Sequence, residues 1–123
     1  MTTSLEDLKI LQVAEKVADE IWKHIVLWNA FTRDTVGLQL ARAADSIGAN
    51  IAESFGRFNY GEKVQFLYYA RGSLFKTKYW LNRTKVRDLI SIDLVQSFAN
   101  QLTELARQMN AFVSNLKDQT TDS

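Results

Sequence analysis

The chain has 123 residues, the size of one domain, and its 46% hydrophobic content is enough for a single core. It contains no cysteine and one histidine, which excludes disulfides, thiolate metal sites and catalytic cysteine–histidine pairs within one chain. There is no apolar run near 18 residues and no basic leader before an apolar stretch, so we expect a soluble, cytoplasmic protein without a membrane span.

The absence of proline and the scatter of the five glycines favour long helices over strands. The first helix is predicted from about residue 5 to residue 28, with Thr3 or Ser4 as its N-terminal cap. One face of it carries apolar residues three or four positions apart: Ile10, Val13, Val17, Ile21, Ile25 and Trp28. Residues 29–33 are expected to form a short connection.

The second helix is predicted from about residue 34 to residue 55, where Gly56 and the Asn59-Tyr60-Gly61 segment interrupt the pattern. Its apolar side chains form one stripe: Val36, Leu40, Ala44, Ile47, Ile51 and Phe55. Its polar side chains form another: Gln39, Arg42, Ser46, Asn50, Glu53 and Arg57. This helix should therefore have one core face and one polar face.

The third helix is predicted to begin at Asn59, which forms a capping-box-like pair with Glu62, and to end near Arg87. It has two adjacent apolar stripes. The first consists of Leu67, Ala70, Leu74 and Leu81, and the second of Val64, Tyr68, Phe75, Tyr79 and Val86. Since a four-helix bundle needs one stripe per helix, the second predicts either a wide core face or a subunit contact.

The fourth helix is predicted from a cap at Ser91 to about Lys117. Its apolar residues follow an alternating three-four spacing: Leu94, Phe98, Leu102, Leu105, Met109, Phe112 and Leu116. Four amphipathic helices with short connections predict an all-α, up-and-down antiparallel four-helix bundle. We expect one domain at residues 1–117 and a polar C-terminal tail at 118–123.

The charge is uneven along the chain although its formal sum is +1. Residues 57–90 carry eight Lys or Arg against two Asp or Glu, whereas residues 1–56 and 91–123 carry net charges of −3 and −2. Basic side chains interleaved with aromatic ones suit phosphate neutralisation and base stacking. The candidate nucleic-acid-binding residues are Lys76, Lys78, Arg83, Lys85, Arg87, Tyr69 and Trp80. Lys76, Arg83 and Arg87 fall on one side of the helix with Tyr69 and Trp80 beside them, and Arg71, Lys78 and Lys85 form a second line bordering the core stripe. Alternatively, these cations cover apolar surface and balance acidic neighbours on helices one and four.

The sequence LARAADSIGANIAESFGR at positions 40–57, followed by FLYYARGSL at 66–74, resembles the signature of a bacterial family. That family is called four helix bundle protein, ribosomal protein S23 or 23S rRNA intervening-sequence protein. The resemblance implies an up-and-down bundle that assembles into a pentameric ring. It also implies a fold similar to the accessory protein of diversity-generating retroelements, which binds nucleic acid. Two positions depart from the pattern: Gly48 stands where many members have proline, and Lys76 where glutamate is common.

The family motif on the second and third helices allows three interpretations. Its polar residues are Arg42, Ser46, Asn50, Glu53, Arg57 and Arg71. In the first interpretation, they form a solvated face. In the second, they bind a neighbouring subunit or fix the corner between the helices, with Glu53 and Arg57 paired at i,i+4 spacing. The third interpretation is direct nucleic-acid contact through Arg42 and Arg57.

Nothing in the sequence supports an enzyme, a metal site or a cofactor site. The lone His24 is expected to be an ordinary helix-surface or interface residue, and Glu15, Asp19 and Glu20 to form a solvated face. The sequence thus predicts a nonenzymatic homo-oligomer that binds rRNA or another nucleic acid through a basic third helix. The alternative is a structural or protein-interaction module whose charges serve subunit pairing alone.

Overall fold

The computed structural model describes the backbone of residues 5–122 and the side chains of residues 9–118. In these residues the chain forms four helices and no strand. We label them α1 (Leu5–Ile25), α2 (the consecutive segments Ala30–Thr32, Arg33–Gly37 and Leu38–Phe55), α3 (Tyr60–Val86) and α4 (Ile92–Asp122). Each helix is joined to the next by a short connection and packs against it. The last helix, α4, also packs against α1, which gives an antiparallel four-helix bundle. None of these helices, within the described residues, is long and apolar enough to cross a membrane.

One core runs through the bundle and contains residues from all four helices. The largest fully buried side chains include Ile21, Leu40, Ile51, Leu74, Phe98 and Leu102. The predicted core stripes are confirmed, except that Val13, Trp28, Phe55, Leu94 and Phe112 are only partly buried. The half-buried imidazole of His24 lies edge-on to the Phe98 ring, with 6.2 Å between ring centroids.

The second helix begins earlier than predicted, because Asn29 caps it. The Asn29 side chain accepts a hydrogen bond from the Thr32 amide at 3.0 Å, so the expected connection at 29–33 is wrong. Residues Arg33–Gly37 form a π-helical turn within α2, an insertion that hydrophobic spacing does not reveal. Gly37 lies at the end of this turn, where a Cβ atom would come within 3.0 Å of the Ile25 Cγ2 atom.

Three polar side chains of α3 are buried in the bundle: Lys63, Thr77 and Thr84. The two threonine hydroxyls donate to backbone carbonyls of the same helix. The Lys63 ammonium donates to the carbonyls of Ser54 and Phe55 at 3.2 and 3.4 Å. The ammonium thus lies at the C-terminal end of α2, where it adds a second donor to the Ser54 carbonyl, which also accepts from the Arg57 amide at 3.3 Å.

The remaining caps largely follow the sequence. The Asn59 side chain accepts from the Glu62 amide at 3.2 Å, and Ser91 accepts from the Leu94 amide at 3.2 Å. α1 ends at Ile25, three residues before its predicted end, and α4 extends past its predicted end at Lys117 to Asp122. The predicted cap at Thr3 or Ser4 lies outside the described residues.

Candidate nucleic-acid interface on α2 and α3

The predicted basic residues of α3 lie on two different flanks of the helix. Tyr69, Lys76, Trp80, Arg83 and Arg87 share the flank that faces α2. On the other flank, which faces α4, lie Arg71, Lys78 and Lys85. The two lines of cations predicted from helical spacing therefore lie on different flanks and do not form one surface.

On the α4 flank, polar contacts tie two of the three cations to neighbouring side chains. The Arg71 guanidinium donates to Asn110 Oδ1 at 2.9 Å and lies 4.8 Å from the centre of the Tyr68 ring. Lys78 donates to the Thr103 hydroxyl at 2.6 Å. Lys117 of α4 donates to the Tyr68 hydroxyl, and this hydrogen bond lowers the pKa of Tyr68. These contacts hold α3 and α4 together.

A groove of about 240 Å³ separates α2 from α3 on the other flank; we call it the α2/α3 groove. Its lining residues come from both helices and none is acidic: Gln39, Arg42, Ala43, Ser46, Ser73, Lys76 and Trp80. The groove thus joins residues of the family motif to residues of the basic third helix. Sequence reasoning had treated these as separate sets and had not singled out Gln39 or Ser73 as site residues.

The cations on this flank are not neutralised by carboxylates. Among the described residues, no ion pair involves Arg42, Lys76, Arg83 or Arg87. Arg42 and Lys76 line the groove from different helices and give it two positive charges, which favours an anionic ligand.

Two aromatic side chains accompany these cations. Trp80 is half-buried in the groove wall, and its indole meets the Tyr79 ring edge-on, with 5.0 Å between centroids. Tyr69 is 50% exposed and meets Phe66 edge-on at 5.4 Å. Indole and phenol rings that solvent can reach are suitable platforms for base stacking.

Arg57 of the motif lies at the corner between α2 and α3 and contacts both helices. The predicted pair is confirmed, because the Arg57 guanidinium donates to Glu53 Oε1 at 2.5 Å. The same guanidinium lies 4.0 Å from a Glu62 carboxylate oxygen and 4.6 Å from the centre of the Phe66 ring. Asn50 donates to the Ser46 carbonyl at 2.8 Å. With two carboxylates beside it, Arg57 is less suited to phosphate than Arg42.

Comparisons with known proteins agree with this architecture. The chain is similar to a crystal structure from Bacteroides thetaiotaomicron VPI-5482, described as a protein with unknown function from the S23 ribosomal protein family. The TM-score is 0.82 at 22% sequence identity, over 89% of this chain and 99% of the other, a likeness that shows the fold. No curated protein matches the sequence. The family model of the 23S rRNA-intervening sequence protein matches residues 6–111. With most of its length matched, the chain belongs to the 23S rRNA-intervening sequence protein family.

Proposed function

We propose that this protein binds single-stranded RNA or DNA in the cytoplasm, without catalysis, through the α2/α3 groove and the neighbouring cations of α3. One observation carries the proposal: the half-buried Trp80 indole shares a groove with two cations, Arg42 and Lys76, and with no acidic side chain. Arg83 and Arg87 extend the same flank toward the end of α3.

The composition of the groove matches the chemistry of an unpaired nucleotide. Guanidinium and ammonium groups neutralise phosphates, and an indole stacks on a base of any sequence. The Ser46 and Ser73 hydroxyls and the Gln39 amide can hydrogen-bond to base edges. Bases of a duplex are stacked on one another and are not free to enter such a groove, so a single strand is the expected ligand.

The family description makes ribosomal RNA the first ligand to test, since it names an intervening sequence of 23S rRNA. Lys76 supports the same class of ligand for this chain, because it adds a second cation to the groove that Arg42 lines. An RNA from the intervening region and an unrelated RNA of equal length would separate sequence-specific from general binding.

A second candidate function is self-association as a structural or protein-interaction module. It is favoured by Phe75, Tyr79 and Val86, which are 56%, 57% and 58% exposed on α3. Large exposed apolar patches are unusual on monomers. The family resemblance implies five subunits. Self-association and nucleic-acid binding are compatible, but the alternative assigns the basic residues to subunit pairing alone.

Equilibrium binding of a fluorescent single-stranded RNA tests the proposal. The double variant Arg42→Gln/Lys76→Gln removes both groove cations, whereas Lys16→Gln/Lys23→Gln removes the same charge from exposed positions of α1. We expect a large loss of affinity for the first variant and a small one for the second. Equal affinities of the two variants, or no saturable binding by the natural protein at low salt, would refute the proposal.

A further inference from the structure

The exposed side of α3 carries an apolar strip that its own bundle does not cover. We call Phe75, Tyr79 and Val86 the α3 strip; each is more than half exposed. Gly72 lies on the same face of α3, one turn before Phe75. A Cβ atom added to it would meet nothing within 4 Å, so the helix backbone is accessible to a partner there. Cations border the strip on both sides: Lys76 and Arg83 on one, Lys78 and Lys85 on the other.

A second groove lies between α1 and α2, away from α3. It has a volume of about 330 Å³ and is floored mainly by small side chains, among them Ala14, Ala18, Ala44 and Gly48. We call it the α1/α2 groove. Because its floor has so few large side chains, the space remains open to aromatic rings from outside.

Three carboxylates stand along the α1/α2 groove: Glu15, Asp19 and Asp45. None of them pairs with a cation in the part of the chain that the structure describes. Burial, and next the negative charge of Asp19, raise the pKa of Asp45. The groove thus concentrates negative charge that the monomer leaves uncompensated, and a positive partner would relieve it.

We infer that the α3 strip of one copy docks into the α1/α2 groove of a second copy. The apolar rings match the apolar floor, and the cations beside the rings match the carboxylates beside the groove. Two α3 strips placed face to face would instead bring Lys76, Lys78 and Arg83 against their own copies, which like-charge repulsion opposes. The inference rests on the self-association proposed above and specifies its two surfaces.

A contact between two different surfaces is head-to-tail, and its repetition gives a closed ring or an open filament. The α3 strip and the α2/α3 groove lie on different sides of α3. Docking leaves Arg42 and Trp80 accessible, whereas Lys76 and Arg83 lie between the two surfaces and can contribute to either contact.

Two double variants test the head-to-tail contact by molar mass from light scattering. The strip variant is Phe75→Glu/Tyr79→Glu, and the groove variant is Ala49→Arg/Ala52→Arg; all four positions are exposed in the monomer. We expect the natural protein to form oligomers and each variant alone to remain a 14.1 kDa monomer. An equimolar mixture should form a dimer and nothing larger, because it pairs one intact strip with one intact groove.

Matched controls are Phe58→Glu, at a 99% exposed position, and Ala111→Arg, at an exposed position of α4. Both should assemble like the natural protein. A monomeric natural protein would overturn the inference, as would a variant that still assembles alone or a mixture that remains monomeric. RNA binding by the monomeric groove variant, which keeps Arg42, Lys76, Tyr79 and Trp80 and adds no carboxylate beside them, reports on the proposed function separately.

Discussion

Arg42 of α2 and Lys76 of α3 border the same groove, so a change in the charge of one alters the electrostatic potential at the other. We predict that Lys76→Glu forms an ion pair with Arg42 and weakens RNA binding. Because surface pairs contribute about 0–1 kcal/mol, the free energy of unfolding should change little. Fluorescence anisotropy and urea unfolding measure the two effects. Lys16→Glu, an equal charge reversal on α1, should bind nearly normally; if both variants bind equally well, the groove is not the site.

Trp80 should discriminate between single-stranded and double-stranded nucleic acid. We predict that Trp80→Leu loses about 1–3 kcal/mol of binding free energy for a single strand, the usual contribution of one stacked base. Binding of the matching duplex should be weak and nearly unchanged. Trp22→Leu, which alters a 53% exposed tryptophan on α1, is the control. The same loss for strand and duplex would contradict base stacking on Trp80.

Two glycines should respond in opposite ways to alanine. A Cβ on Gly37 would lie 3.0 Å from Ile25 Cγ2 and 3.2 Å from the Thr32 carbonyl oxygen, so Gly37→Ala should destabilise the fold by about 1–3 kcal/mol. The same change at Gly72 meets open space, and the higher helix propensity of alanine should stabilise α3 by up to about 1 kcal/mol. Urea unfolding of both variants checks the contrast, and destabilisation by Gly72→Ala alone would contradict it.

Lys63 should contribute to the stability of the fold, although it is a charged residue. Lys63→Met keeps much of the buried stem but removes the ammonium that donates to the Ser54 and Phe55 carbonyls. We expect a loss of about 1–3 kcal/mol in the free energy of unfolding, because the buried hydrogen bonds of a charged donor to the end of α2 are lost. The exposed Lys16→Met should stay within about 0.5 kcal/mol. Equal urea midpoints for the two variants would show that Lys63 has no capping role.

Hydrophobic spacing was sufficient to predict the bundle and most of its core. Leu40, Leu74 and Leu102 lie on the predicted stripes and are fully buried, since a regular helix fixes which side chains share a face. The π-helical turn at Arg33–Gly37 was not predicted, nor was the close approach of Gly37 to Ile25 and Trp28. Contacts between helices of this kind have no periodic signature in the sequence.

The candidate site was predicted only in part, for the same reason. The sequence showed that α3 is basic, but not that Lys78 faces Thr103 of α4 while Lys76 faces the groove. Helical spacing divides the cations into two lines. The positions of α2 and α4 determine which line of cations has polar partners on a neighbouring helix and which line faces the groove.

The salt dependence of RNA binding tests the central claim most directly. Log affinity falls linearly as log salt concentration rises, and each phosphate contact with a single strand makes this slope steeper by about 0.7. Replacing Lys76, Arg83 and Arg87 together by Gln should weaken binding and reduce this slope by about 2, with helical content intact. Unchanged affinity and slope in the folded triple variant would contradict the assignment of nucleic-acid binding to this flank of α3.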